Sequence, residues 1–195
     1  MTTVIAPFDQ LIRPSRRERR LERRRLKRQD ALSGQLAELH AIRALLEEAA
    51  EVVRGGWVQH AWFTVAADGG GRAVTAYDLR LAVERPVIGA CLVGAVVHAA
   101  GGPATVRSQL VQRTLDVAWH TLREGPDRAV QWCPGPPIRM MRVLDLTRWN
   151  DAMERTQEEV VDLLVAARRT TDVQRARCRA EQAELAATPM ALLPG

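Results

Sequence analysis

The sequence predicts a mainly α fold: a single compact helical domain of five to six helices with one small β-hairpin, preceded by an arginine-rich arm that is either helical or disordered. Three observations carry this expectation. Leu32, Leu36, Leu39, Leu46, Ala50 and Val53 recur at steps of three and four, the spacing that puts side chains on one face of a helix. The run Ile88 to Gly101 is apolar on every face, as a buried helix would be. Alternation of the strand type is confined to one short stretch, Trp57 to Ala66. With 195 residues, 47% apolar and 26% charged, the chain has the length and composition of one domain with a real core plus arms.

Residues 1–12 read as loose. From Arg13 to Arg28 the chain carries ten basic residues against two acids, a net +8 in a chain whose total is +5. Leu21 and Leu26 are its only apolar residues, so a helix here would be solvated all round. Residues 1–31 are therefore read as an arm, 32–170 as the globular domain, and 171–195 as a C-terminal helix with a flexible tail. Ser33 and Gly34 interrupt weakly, and the leucine stripe then predicts a helix over 33–54, stopped by Gly55-Gly56, with continuity into the arm left open.

Trp57 to Ala66 reads as a strand. The Asp68-Gly69-Gly70-Gly71 turn returns it into a short partner at Arg72 to Val74. Thr75 and Asp78 suggest a capping box opening a helix at 76–84, ended before Pro86. The apolar run at 88–101 is expected to be the central helix, with Gly89 and Gly94 permitting close approach of neighbours. Pro103 opens a helix over 104–123, with Ser108 inside it. Four prolines make 126–150 read as loop, with short extended pieces near 130–132 and 138–144. Thr156 and Glu159 form an S/T-x-x-E box opening a helix to about Arg169. A weaker helix over 171–187 follows, fading into the tail TPMALLPG.

Motifs for chemistry are sparse. No His or Cys pair has zinc-ligand spacing, and neither a metal nor a cofactor is expected. Cys91 and His98 lie two turns apart in the apolar run and read as a buried thiol and a core histidine. Burial there makes Cys91 unreactive. The serines lack a nucleophile motif, and the glycine runs lack phosphate-loop patterns. Asp145, Trp149, Asn150 and Asp151 form a polar stretch that either serves a functional loop, with His60 or His98 as partner, or closes a turn ahead of a helix. The turn reading rests on the habit of Asn and Asp of bonding nearby backbone.

Three groups of residues, Gly56-Trp57-Val58-Gln59, then Gly89 to Ala95 with Cys91-Leu92-Val93-Gly94-Ala95, then Trp149-Asn150-Asp151 with Arg155-Thr156-Gln157-Glu158-Glu159-Val160, resemble a small family of uncharacterised actinobacterial and actinophage proteins. The resemblance covers about residues 34–170. It implies a domain of unknown function with G-W-x-Q, C-L-x-G-A and W-N-D…R-T-x-x-E-V motifs, and brings no activity, cofactor or catalytic residue. The family pattern often has a glycine after G-W-x-Q, where this chain has His60-Ala61.

The functional expectation is a non-enzymatic accessory or regulatory protein. Its arm would contact nucleic-acid phosphates, in DNA or RNA, through Arg16, Arg17, Arg19, Arg20, Arg23, Arg24, Arg25, Lys27 and Arg28. The alternatives are a protein-interaction module that contacts a partner protein or dimerises through the 33–54 helix, and an enzyme using Asp145, Asn150 and Asp151. Three scattered cysteines, no export signal and no stretch long enough to span a bilayer predict a cytoplasmic protein without membrane contact.

Overall fold

A computed structural model describes residues 15–125 and 128–187. The loose segment 1–12, Arg13 of the basic block, the stop at Pro126 and the tail 188–195 lie outside the described residues. Among them the chain forms six α-helices and one three-stranded antiparallel sheet, the mainly α architecture expected, with the hairpin extended by one strand.

Helix α1 (Arg16–Gly55) runs 40 residues without a break, about 60 Å. Ser15 caps it: its hydroxyl accepts from Glu18 N–H while the Glu18 carboxylate accepts from Ser15 N–H, a full capping box. The expected interruption at Ser33-Gly34 is absent. A glycine inside a helix costs about 1 kcal/mol, and here it sits among Leu32, Leu36 and Leu39, which pack a satellite core with Cys178, Trp132 and Leu185. That packing carries the helix through.

Helix α6 (Gln157–Ala187) is antiparallel to α1 and joins in one element the two helices expected on either side of residue 170. Gln157 donates to the Val53 and Arg54 carbonyls at one end of the pair. Arg168 reaches Glu47 in the middle, and Gln182 donates to the Ser33 hydroxyl near the other end. The Thr170 and Thr171 hydroxyls bond back to the Ala166 and Ala167 carbonyls, so this β-branched pair continues the helix instead of ending it.

The sheet has strand order β2-β1-β3, with β1 (Phe63–Ala67), β2 (Gly70–Val74) and β3 (Val87–Ala90). Residues 57–62, expected as the start of a strand, are not one: Trp57 bridges Ala90, and Trp62 bonds through its N–H to the Val74 carbonyl and through its carbonyl to Cys91 N–H. The first part of the apolar run is β3, not helix. An open edge of β1 takes it up, and an apolar run of four fits a buried strand as well as a helix. Helix α3 (Leu92–Ala99) begins only after Cys91, whose Sγ accepts from Gly94 N–H at 3.3 Å and so caps the helix. Gly94 lets the helix touch the preceding segment: a Cβ there would lie 2.0 Å from the Trp62 carbonyl oxygen.

The remaining helices differ in their bounds from the expectation. Helix α2 (Leu81–Glu84) is a single turn, and Thr75 and Asp78 close the turn before it. Pro103–Thr105 is a 3-10 turn, and α4 (Gln109–Glu124) starts after Ser108, which is its N-cap and not mid-helix. Helix α5 (Pro136–Asn150) replaces the expected loop and extended piece. Its two prolines occupy the first turn, where proline's fixed φ and missing N–H suit a helix. Buried Arg142 ties α5 to α4 through Asp116 at 3.0 Å, donates to the Gln131 carbonyl and stacks over Trp119 at 4.3 Å. The main core gathers the second half of α1, the sheet, α3, α4 and the first half of α6.

Candidate functional site

The stretch from Asp145 to Asp151 is not a loop. Residues 145–150 are the last turns of α5, and Asp145 and Asn150 are turned to different neighbours. Asp145 accepts from the Trp119 indole at 3.1 Å and pairs with Arg123. The indole N–H, helped by the Arg123 guanidinium, holds its carboxyl below the usual range, against the opposing effect of burial.

Asn150 is buried and all its bonding capacity is spent. Its Oδ1 accepts from the Trp57 indole at 3.0 Å and from Leu92 N–H at 3.1 Å. Its Nδ2 donates to the Val58 carbonyl and to Asp151 Oδ1. The same Asp151 oxygen accepts from His60 N–H at 2.9 Å. Gln59 completes the knot by donating to the Asn150 and Ala152 carbonyls. The three sequence groups thus meet at one point, where they stitch the exit of α1 and the start of α3 to the end of α5.

Arg155 and Glu159 secure the next step. Arg155 lies over the Trp149 ring at 4.1 Å, donates to the Trp149 carbonyl and pairs with Glu159. Glu159 in turn accepts from Thr156 N–H, while the Thr156 hydroxyl accepts from Glu159 N–H, the box expected at the start of α6. What this arrangement does is hold backbone. One oxygen, Asp151 Oδ2, faces His60 Nδ1 at 3.8 Å, and that imidazole is 77% exposed to solvent. His98, expected as a core histidine, is exposed, with its ring edge-on to that of Phe63 at 6.3 Å between centroids. It lies in the last turn of α3, where the buried run of the helix ends.

Cys91 is buried, and burial pushes its thiol up to about 11, the unreactive state expected of it. Among the described residues no three His, Cys, Asp or Glu side chains gather as a metal-ligating set. No described helix is long and apolar enough to cross a membrane.

The basic block is the second place where functional groups concentrate. Within continuous α1, at about 100° per residue, Arg16, Arg17, Arg19, Arg20, Arg23, Arg24, Lys27 and Arg28 fall inside one half of the helix circumference. All eight are exposed. Glu18, Glu22 and Arg25 fall on the other half, on the side that carries Leu32, Leu36 and Leu39 toward α6. Arg25 is half-buried and donates to the Ala186 carbonyl in the last turn of α6, where a cation meets the negative end of the helix dipole. Arg28, at the border of the two halves, pairs with Glu181. The result is a strip about 18 Å long without an acid on it.

Sequence reasoning named the block but not its one-sidedness, which needs the helix to be continuous. It also passed over Gln157, whose amide caps α1; a single glutamine carries no pattern.

The model of one family, described as a family of unknown function (DUF6197), matches residues 37–170. That is most of the chain, and it excludes the basic block and the last part of α6. No curated protein and no solved structure matches.

Proposed function

This chain belongs to the family of unknown function DUF6197, and we propose that within it the chain is a non-enzymatic accessory protein that grips double-stranded nucleic acid by the N-terminal part of α1. The observation that carries this reading is the segregation of charge: eight exposed cations on one half of the helix and both acids of the block on the other. A solvated helix with no partner has no reason to sort its charges this way. Each phosphate neutralised by such a cation releases condensed counterions, which gives strong, sequence-independent, salt-sensitive binding. Arginine suits the role because its planar fork meets phosphate in two hydrogen bonds. The block has no aromatic residue for stacking on unpaired bases, which favours duplexes over single strands.

The domain at 37–170 lies outside the block and would present it to its target, with a protein partner a further part of the proposal. A cytoplasmic setting, and the actinobacterial or phage origin that the sequence motifs imply, belong to the same proposal; the arginine-rich, lysine-poor composition is in keeping with that origin. The three motif groups are, on this reading, shared because they build the knot around Asn150 and not because they do chemistry.

The test is binding to two duplexes of unrelated sequence by the full chain and by two variants. Arg16→Gln, Arg20→Gln, Arg23→Gln and Lys27→Gln together should weaken binding to both duplexes strongly at moderate salt. Arg25→Gln, on the inner side, should leave it nearly unchanged. Equal binding by the fourfold variant would refute the reading.

A further inference from the structure

Far from the basic strip in sequence, four elements enclose an apolar groove of about 720 Å³. Its walls are Trp62 before β1, Val93 of α3, Val106 and Leu115 from the α4 region, and Met140 and Val143 of α5. The volume is that of a small-molecule site, and apolar walls with a few placed polar groups are the usual make-up of one.

The charges of the groove are one-sided. Among the described residues, Arg107 and Arg139 are its only ionisable lining residues, and no acid lines it. Neither guanidinium has a hydrogen-bond or ion-pair partner among the described residues, whereas Arg43, Arg113, Arg123, Arg142 and Arg155, all outside the basic strip, are paired. Met140 is 65% exposed at the mouth, and its unbranched thioether adapts to an apolar guest.

We propose that this groove binds a small aliphatic carboxylate, of the medium-chain fatty-acid class, with the chain against Trp62, Val106, Leu115 and Val143 and the carboxylate on Arg139 and Arg107. The aliphatic body follows from walls that are mostly valine, leucine and methionine. The single negative head follows from two cations with no counter-charge, because a forked guanidinium and a carboxylate match in geometry. The proposal is independent of nucleic-acid binding by the arm.

The probe is decanoate, titrated into the full chain and followed by calorimetry and by tryptophan fluorescence, with 1-decanol as the uncharged counterpart. Decanoate should saturate one site per chain in the micromolar range and decanol should bind at least about tenfold more weakly. Arg107→Gln with Arg139→Gln should reduce decanoate affinity by about tenfold or more while leaving decanol unchanged. Met140→Glu, a surface change that the fold tolerates, should repel decanoate as well. The fourfold variant of the basic strip should bind decanoate as the original chain does. Absence of saturable decanoate binding below millimolar concentration, equal affinity for decanol, or undiminished affinity in the double glutamine variant would each overturn the proposal.

Discussion

The indole nitrogen of Trp57 lies 3.0 Å from Oδ1 of Asn150, across 93 positions of sequence, and the same oxygen takes the amide of Leu92 at 3.1 Å. One side-chain amide thereby joins the segment leaving α1, the first turn of α3 and the last turn of α5. Both partners are donors that burial would leave unsatisfied without it. The residues that looked most like a functional loop in the sequence are the ones that fix the fold.

Asn150→Ala should therefore destabilise the protein by about 3 kcal/mol, because each buried donor left unpaired costs about 1–3 kcal/mol. Trp57→Phe, which removes one donor and keeps most of the ring, should cost about 1 kcal/mol. Urea midpoints measure both. In the double variant the two effects should fall short of additivity, since the contact is lost only once. Strict additivity would mean that the 3.0 Å bond does not contribute.

His60 has φ of 60°, the only left-handed residue other than glycine among those described. A side chain there costs about 1–2 kcal/mol, of which glycine's larger unfolded-state entropy takes back about 0.4–1 kcal/mol. His60→Gly keeps the N–H that reaches Asp151 and should be neutral or stabilising by up to about 1 kcal/mol. His60→Val should be clearly destabilising. A fall in stability with glycine would show that the imidazole, and not the backbone, matters at this turn.

How much of this the sequence disclosed depended on distance along the chain. The leucine stripe of α1 and the Thr156–Glu159 box are local patterns, and both were legible. Val87–Ala90 was not, because a short apolar run satisfies helix and strand alike until β1 offers it an edge. Pro136 and Pro137 were misleading for a different reason: proline breaks a helix interior but begins a helix well, and the composition does not say which applies. The groove drew nothing from the sequence, since Arg107 and Arg139 are unremarkable in an arginine-rich chain and meet only through four separate elements.

Cys91 should resist thiol reagents in the native protein. With its pKa near 11, only about one thiol in a thousand is ionised at pH 8, and the sulfur is buried. Cys133, partly exposed beside Gly135, should label first. Mass mapping after brief alkylation checks this, and labelling of Cys91 at the rate of Cys133 would contradict it.

His120 is buried in α4, and neither ring nitrogen has a hydrogen-bond partner among the described residues. Burial lowers its pKa below the ordinary 6.5, against smaller opposing effects from the Arg128 backbone and the Glu124 carboxylate. The unfolded chain then takes up a proton before the folded one does. Stability is full above about pH 6.5 and falls as the pH drops through that value toward the lowered one. His120→Leu should flatten the decline in urea midpoint between pH 7 and pH 5. An unchanged slope would place the pH dependence elsewhere.

The central claim is that the outer half of the first helix turns is a phosphate-binding strip. The most direct measurement is the slope of log binding constant against log salt for a random-sequence DNA duplex. Each phosphate neutralised contributes about 0.9 to that slope, so removing Arg16, Arg20, Arg23 and Lys27 by glutamine should lower it by about 3–4. Replacing Arg72 and Arg169, which are exposed elsewhere, should leave it unchanged. A slope that survives the fourfold substitution, or that falls equally with the pair outside the strip, would contradict the account.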